Sequence, residues 1–417
     1  MIVVRSRRVV TPTGVIAADV SVVGDRIDGV HALRSQTDGV IDVGDDAVLP
    51  GLVDTHVHFN EPGRDDWEGI ATGTAGALAG GVTTVVDMPL NSSPVTTTVA
   101  ALEEKQRIAE RQSAVRLFCH AGVVPNAVAT LGDVLDAGAL AAKAFLCDSG
   151  IDEFPAARRE DLIAAMGVLR SRNKPLLVHA ELTSPVDSTP SQSYADYAAS
   201  RPPEFERRAV SMMVDLCRQT GCHTHIVHVA DAGAGDLIAA AKAEGLPMTA
   251  ETCPHYLTFE SSEIPDGGTA WKCAPPIRDA ANREALWDLL RDGTLDMVAT
   301  DHSPCPPAMK DRPLFEAWGG VASLQWSLPV VWTEASRRGF DLSDVCRWMA
   351  SGPASLIGLR SAVEGGAPAD LVVFDAEAEW TADVAHWRHR HAISPYDGMS
   401  MRGDVRRVMI AGQWRMP

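Results

Sequence analysis

A recurrence of short apolar segments, each followed by an alanine-rich or amphipathic stretch, constrains this chain more than any other feature. Eight such segments run through its middle: GLVDTHVHF (51–59), GVTTVVDMP (81–89), VRLFCHAGVV (115–124), AAKAFL (141–146), PLLVHAE (175–181), HTHIVHVA (223–230), PMTAETCP (247–254) and MVATDHSP (297–304). Between them lie stretches such as WEGIATGTAGALAG and RREDLIAAMGVLRSR, which read as crossover helices. Strands alternating with helices imply parallel βαβ units, and eight such units are the number that closes a barrel. The expected architecture is an α/β fold with a TIM-like (β/α)8 barrel over residues 51–362.

The two ends follow a different rule. Residues 1–50 carry short alternating strands with Gly and Asp turns, and the tail repeats the pattern in ADLVVFDAEAEW and VRRVMIAGQWRM. Neither end is long enough for a stable sheet alone. Residues 1–50 and 363–417 are therefore expected to pair with each other as a small composite β-domain, a β-sandwich built from both termini.

Composition limits the function classes. Of 417 residues, 46% are hydrophobic and 22% charged, which is enough apolar material for a sizeable core. The 37 Lys and Arg against 55 Asp and Glu leave a net charge of −18, with no basic block to attract nucleic acid or an anionic membrane. No apolar run approaches the roughly 20 residues that span a bilayer. The start, MIVVRSRRVVTPTG, lacks a secretory leader's apolar stretch. Eight cysteines without a CxxC pair fit reduced thiols, so a cytoplasmic enzyme is the expected class.

In a parallel barrel, functional groups gather at the C-terminal ends of the strands. His56 and His58 close the first segment two residues apart, so they share a face and can chelate a metal. Asp54, on the same face, can orient one imidazole. His179 closes the fifth segment. Alternation along the sixth assigns His228 to the site and turns His223 and His225 towards the helical shell, as structural or surface residues. Asp301 ends the eighth, where an aspartate can both ligate a metal and shuttle a proton. His302 faces away from it as a core or supporting group.

Lys143, in AAKAFL, admits two readings. Its head reaches solvent or a carboxylate, or burial keeps the amine neutral so that it takes up carbon dioxide as a carbamate bridging two metals. Four histidines and an aspartate at neighbouring strand ends favour the carbamate.

Together with PGLVDTHVHFNEPGRDDWEG, GGVTTVVDMPLN, ETCPHYL, KCAPPIRD and DHSPCPPAMK followed by WGG, these residues resemble the cyclic amidohydrolases over nearly the whole chain. That family comprises dihydroorotase, hydantoinase or dihydropyrimidinase, and allantoinase. The wording HFNEPGR-x-x-WEG, MPLN, KC-x-PPIRD and DHSPCPP is most similar to the allantoinase branch. Dihydroorotases carry an arginine where this chain has Asn60 and an asparagine where it has Leu90. Lacking both, the site suits a neutral ureido-hydantoin better than an anionic dihydroorotate. Hydantoinases lack the Cys-Pro-Pro run.

The resemblance implies a binuclear centre. His56, His58 and Asp301 would hold one divalent ion and His179 and His228 the other, with N6-carboxylated Lys143 and a hydroxide bridging them. The implied reaction is hydrolysis of the cyclic amide of allantoin to allantoate, with Asp301 moving the proton. Zinc suits these ligands, and iron, cobalt or manganese suit them as well.

Substrate contacts are expected from Asn60, Cys273, Ala274, Ser303, Gly319 and Gly320, with Pro304 beside them. The glycine pair reads equally as a plain turn. His255 either lines the pocket or packs with hydrogen bonds. Arg64 is expected to pair with Glu61 or Asp65, and Cys147, Cys273 and Cys305 to line the pocket or pack. His386, His389 and His391, in the charged run HWRHRH, are expected at the solvated surface or an interface. The resemblance also implies a homo-oligomer, a tetramer. The rivals are a hydantoinase- or dihydroorotase-like amidase and a barrel scaffold without ligands, and the complete ligand set argues against the scaffold.

Overall fold

The computed structural model describes residues 1–35, 39–185 and 191–416. Each of the eight apolar segments contributes a strand. They are Leu52–Val57, Val82–Asp87, Arg116–Cys119 continuing as Ala121–Gly122, Ala142–Phe145, Leu176–His179, Thr224–Ile226, Met248–Thr252 and Met297–Val298. Neighbours pair in parallel throughout. The third strand is the seam, pairing with the second strand before His120 and with the fourth after it. The circle closes where His302 bridges Val57 and the His58 N–H donates to the His302 carbonyl at 2.8 Å.

The strands are apolar on both faces because one side fills the barrel and the other receives helices. Helix Arg159–Ser171 shows the complementary pattern. Leu162, Ala165, Met166 and Leu169, three and four residues apart, are buried on one stripe. The strands are shorter than the apolar runs containing them. Beyond each ladder the chain turns, and those turns carry the polar side chains of the barrel mouth.

Both termini share one eight-stranded sheet. Its join is Ala47–Pro50, which pairs parallel with Ile2–Thr11 and antiparallel with Leu371–Thr381. Val4, Val20, Ile27, Leu371 and Met409 form a core of its own beneath this sheet, separate from the barrel core. Among the described residues no helix is long and apolar enough to cross a membrane. All eight cysteines are buried and free.

Candidate metal centre

The first strand delivers His56 and His58 to the barrel mouth with their orientations set from behind. His58 donates from Nδ1 to the Leu90 carbonyl at 2.7 Å, and His56 Nδ1 lies 2.6 Å from Glu251 Oε1. A carbonyl can only accept, so His58 carries a proton on Nδ1, and the tautomer this selects has its lone pair on Nε2. The Nε2 atoms of His56 and His58 both face Asp301 Oδ1, at 3.2 and 3.3 Å. Lone pairs converging on a carboxylate oxygen repel unless a cation lies among them. Two atoms about 2.0–2.2 Å from one tetrahedral ion stand roughly 3.3–3.6 Å apart, close to the separation here.

The second half of the centre is built alike. His179 directs Nε2 to Glu181 at 2.9 Å and stacks on Phe145 at 4.5 Å, which leaves the lone pair on its Nδ1. Arg201 grips the same Glu181 carboxylate at 3.0 and 2.5 Å. His228 lies between the two groups, its ring 5.4 Å from His56 and 4.6 Å from His179. Its Nδ1 is buried without a hydrogen-bond partner, and so is Lys143 Nζ.

Burial, reinforced by the neighbouring Lys143 cation, holds His56 and His228 neutral, and burial lowers His179 as well. It also brings Lys143 down to about 8, against the pull of Asp301 and Glu251. Burial opposes the charge on Asp301, but the neighbouring His58 and Lys143 outweigh it and keep the carboxyl low. Neutral imidazoles, an ionised carboxylate and an orphaned amine facing one space fit divalent metal ions.

The backbone is arranged to produce this convergence. His228 and Asp301 have φ of 41° and 45°, left-handed values that a non-glycine residue holds at a cost of roughly 1–3 kcal/mol. That turn also explains an error of alternation. His225 does not face the helical shell: it is buried, and its Nε2 meets Glu251 Oε2 at 3.0 Å inside the barrel. The left-handed His228 breaks the period of two, so His225 and His228 both enter the site region. His225 Nδ1 and His223 Nε2 each reach Thr249 Oγ1 at 2.8 Å, and His223 is half-buried.

Glu251 is the residue that sequence reasoning missed. Its signal was a carboxylate inside the apolar run PMTAETCP, where an unpaired charge would be costly. Burial pushes it up to about 8, with Lys143 pulling the other way. It takes the orienting role expected of Asp54. Asp54 instead accepts the backbone N–H groups of His56, at 3.0 Å, and Thr300, at 3.2 Å.

A cavity of about 480 Å³ opens over these groups. Cys147, Cys273, Ala274, Ser303, Gly319 and Gly320 lie on its wall. Asn60 does not. Its side-chain carbonyl accepts from Asn91 at 3.1 Å, and Asn91 lines the cavity in its place. Pro304 and Cys305 line a smaller neighbouring cavity. His255 is buried against Tyr256 with neither ring nitrogen partnered, so it neither lines the pocket nor packs through hydrogen bonds. Arg64 pairs with Glu153 at 2.8 Å rather than with Glu61 or Asp65.

His389 is not at the surface. It packs against His302, ring centroids 4.2 Å apart, and against Glu68 at 3.3 Å. The tail folds back over the barrel, so a charged run in the sequence supplies a core residue. His386 is exposed, and His391 reaches the Asp66 carbonyl at 2.7 Å.

Residues 47–415 match the family model described as the amidohydrolase family. The chain is 43% identical over 420 residues to the allantoinase of Streptomyces avermitilis, covering 99% of this chain and 94% of that protein. It is 41% identical over 438 residues to the allantoinase of Arabidopsis thaliana, at 98% and 87% coverage. Among solved structures, the L-hydantoinase (dihydropyrimidinase) from Arthrobacter aurescens superposes with a TM-score of 0.93 at 28% identity, covering 99% of this chain and 95% of that one.

Proposed function

The chain belongs to the amidohydrolase family, and from that premise we propose that it hydrolyses the ring amide of allantoin to allantoate. The observation that carries the chemistry is the meeting of the His56 and His58 Nε2 atoms on Asp301 Oδ1, beside the orphaned Lys143 amine. The substrate rests on the nearly full-length similarity to allantoinases, stronger than the 28% identity to the hydantoinase.

His56, His58 and Asp301 would hold one divalent ion and His179 and His228 another, with Lys143, as its carbamate, between them. When bound, such a pair supplies Lewis acidity at the ring carbonyl and a water ionised near neutral pH. This chain's own residues then orient and move protons. Glu251 and the Leu90 carbonyl hold the first two imidazoles with Nε2 forward. Asp301 takes the proton of the attacking water and returns it to the ring nitrogen as the C–N bond breaks, so the carboxylate ends as it began. The product carries the new carboxylate and the freed amide nitrogen.

Zinc is the proposed metal, a homotetramer the proposed assembly, and the cytoplasm the proposed compartment, in keeping with eight free thiols. Assays of the purified protein on allantoin, hydantoin and dihydroorotate, paired with metal analysis, test the reading. Allantoin should turn over fastest with about two metals per chain, and faster turnover of hydantoin overturns the substrate. Lys143→Ala should lose metal and activity together and regain part of the rate with short carboxylic acids. Unchanged metal content and rate would defeat the carbamate.

A further inference from the structure

Among the described residues, two buried lysines outside the metal centre have no carboxylate partner. Lys310 Nζ donates to three backbone carbonyls, those of Thr269 at 2.9 Å, Trp318 at 2.9 Å and Gly320 at 2.8 Å, which uses all its protons. Lys272 Nζ donates to the carbonyls of Phe315 at 2.9 Å and Ala317 at 2.6 Å and sits 5.2 Å over the Tyr197 ring. An interior ammonium without a counter-ion is costly. Here each is solvated by main-chain dipoles, and four of the five acceptors belong to 315–320, an irregular segment outside any helix or strand.

The placement of these contacts decides what the segment shows to the cavity. Lys310 lies behind it, lining the smaller cavity with Pro304 and Cys305, whereas Gly319 lines the large cavity over the metal centre. The Trp318–Gly319 peptide is trans, so its carbonyl and its N–H point opposite ways. With the Trp318 carbonyl held by Lys310, the Gly319 N–H turns to the cavity side.

Its neighbours are already committed: the Trp318 N–H donates to Met309 at 3.0 Å and the Gly320 N–H to the Lys272 carbonyl at 2.7 Å. No acceptor among the described residues takes the Gly319 N–H. Gly320 has to be glycine, because its φ is 150° and a Cβ there would meet the Ser303 carbonyl at 2.2 Å. The glycine pair is therefore more than a turn.

We propose that Lys272 and Lys310 are positioning residues for substrate recognition, clamping 315–320 so that the Gly319 N–H stands free to donate to a carbonyl of a cyclic ureide. The ureide rests on the amide-hydrolase reading, and the clamp itself does not.

The test uses the full-length, metal-loaded protein and the variants Lys272→Met and Lys310→Met. It measures hydrogen–deuterium exchange of 313–320, metal content and steady-state kinetics on allantoin. Exchange of the segment should accelerate and KM rise about tenfold, the effect of one lost hydrogen bond, while kcat and metal content stay near the parent values. Unchanged exchange and KM overturn the proposal, as does a fall of kcat and metal content in step with KM. Should Lys310→Met not fold, Lys272→Met carries the same readings alone. A parent protein inactive on allantoin overturns the substrate reading, while the exchange data still decide the clamp.

Discussion

Asp301 and His302 are neighbours in the chain, and each enters a buried group of two imidazoles and one carboxylate. Asp301 meets His56 and His58, and His302 meets His389 and Glu68. By ligand type and proximity both groups could hold an ion. Their protons differ. His302 Nδ1 accepts the Ser323 N–H at 3.1 Å, and His389 Nε2 accepts the Gln325 N–H at 3.3 Å. With those nitrogens accepting, each ring is left with an N–H towards Glu68, His389 at 3.3 Å and His302 at 3.7 Å. Donors face an acceptor, and neither imidazole keeps a lone pair for a metal. Around Asp301 the back of each ring is held by an acceptor and the lone pairs converge. What hydrogen-bonds the rear nitrogen decides whether a histidine cluster is a metal site or a structural knot.

The hardest test of that contrast is a pair of substitutions, one in each cluster. Asp301→Asn should lower kcat by roughly 10²–10⁴, the usual worth of a general acid–base group, with circular dichroism unchanged. His389→Gln should leave kcat within about threefold and act on thermal stability. Asp301→Asn retaining activity within about tenfold would remove the proton-transfer role. A comparable loss in His389→Gln would merge the two clusters into one catalytic unit.

A smaller effect is expected behind the ligands. Glu251→Gln keeps the shape but replaces the carboxylate facing His56 and His225. Loss of an orienting partner of this kind costs about 10–100-fold in metal affinity, readable by competition with a chelator. If affinity for zinc is unaltered, the 2.6 Å contact is packing and does not tune the ligand.

This contrast separates what the residues disclose from what only the folded chain discloses. The barrel was legible because eight apolar runs alternating with helices have few other ways to close. The convergent side chains were legible because they end those runs: His56, His58, His179, His228 and Asp301 all lie where the ladder stops. Side-chain direction beyond the ladder was not. Alternation misplaced His225, since nothing local marks the left-handed turn at His228. Glu251 and His389 escaped because their partners lie 195 and 321 residues away in the chain. A charge in an apolar run announces that a partner exists without saying which. Asn60 failed more simply, as adjacency to His58 does not fix which way a left-handed residue points.

The smallest expected effect concerns pH, and it bears on the closed cluster alone. Burial works against the charge on Glu68, but the His389 and His302 imidazoles outweigh it and hold the carboxyl well below the usual glutamate value of 4.5. Burial and the adjacent His389 bring His302 down to about 4, so it is neutral under ordinary assay conditions. A carboxylate depressed in the native state stabilises the fold above its unfolded pKa and loses that contribution as pH falls below it. Replacing Glu68 with Gln removes an acceptor facing two buried N–H donors, which costs about 1–3 kcal/mol near neutral pH. The difference in melting temperature between parent and Glu68→Gln should therefore be largest at pH 6–7 and shrink below about 4.5, with kcat at neutral pH little changed. A difference that stays constant from pH 7 down to about pH 3 would mean that Glu68 is not ionised in the folded chain.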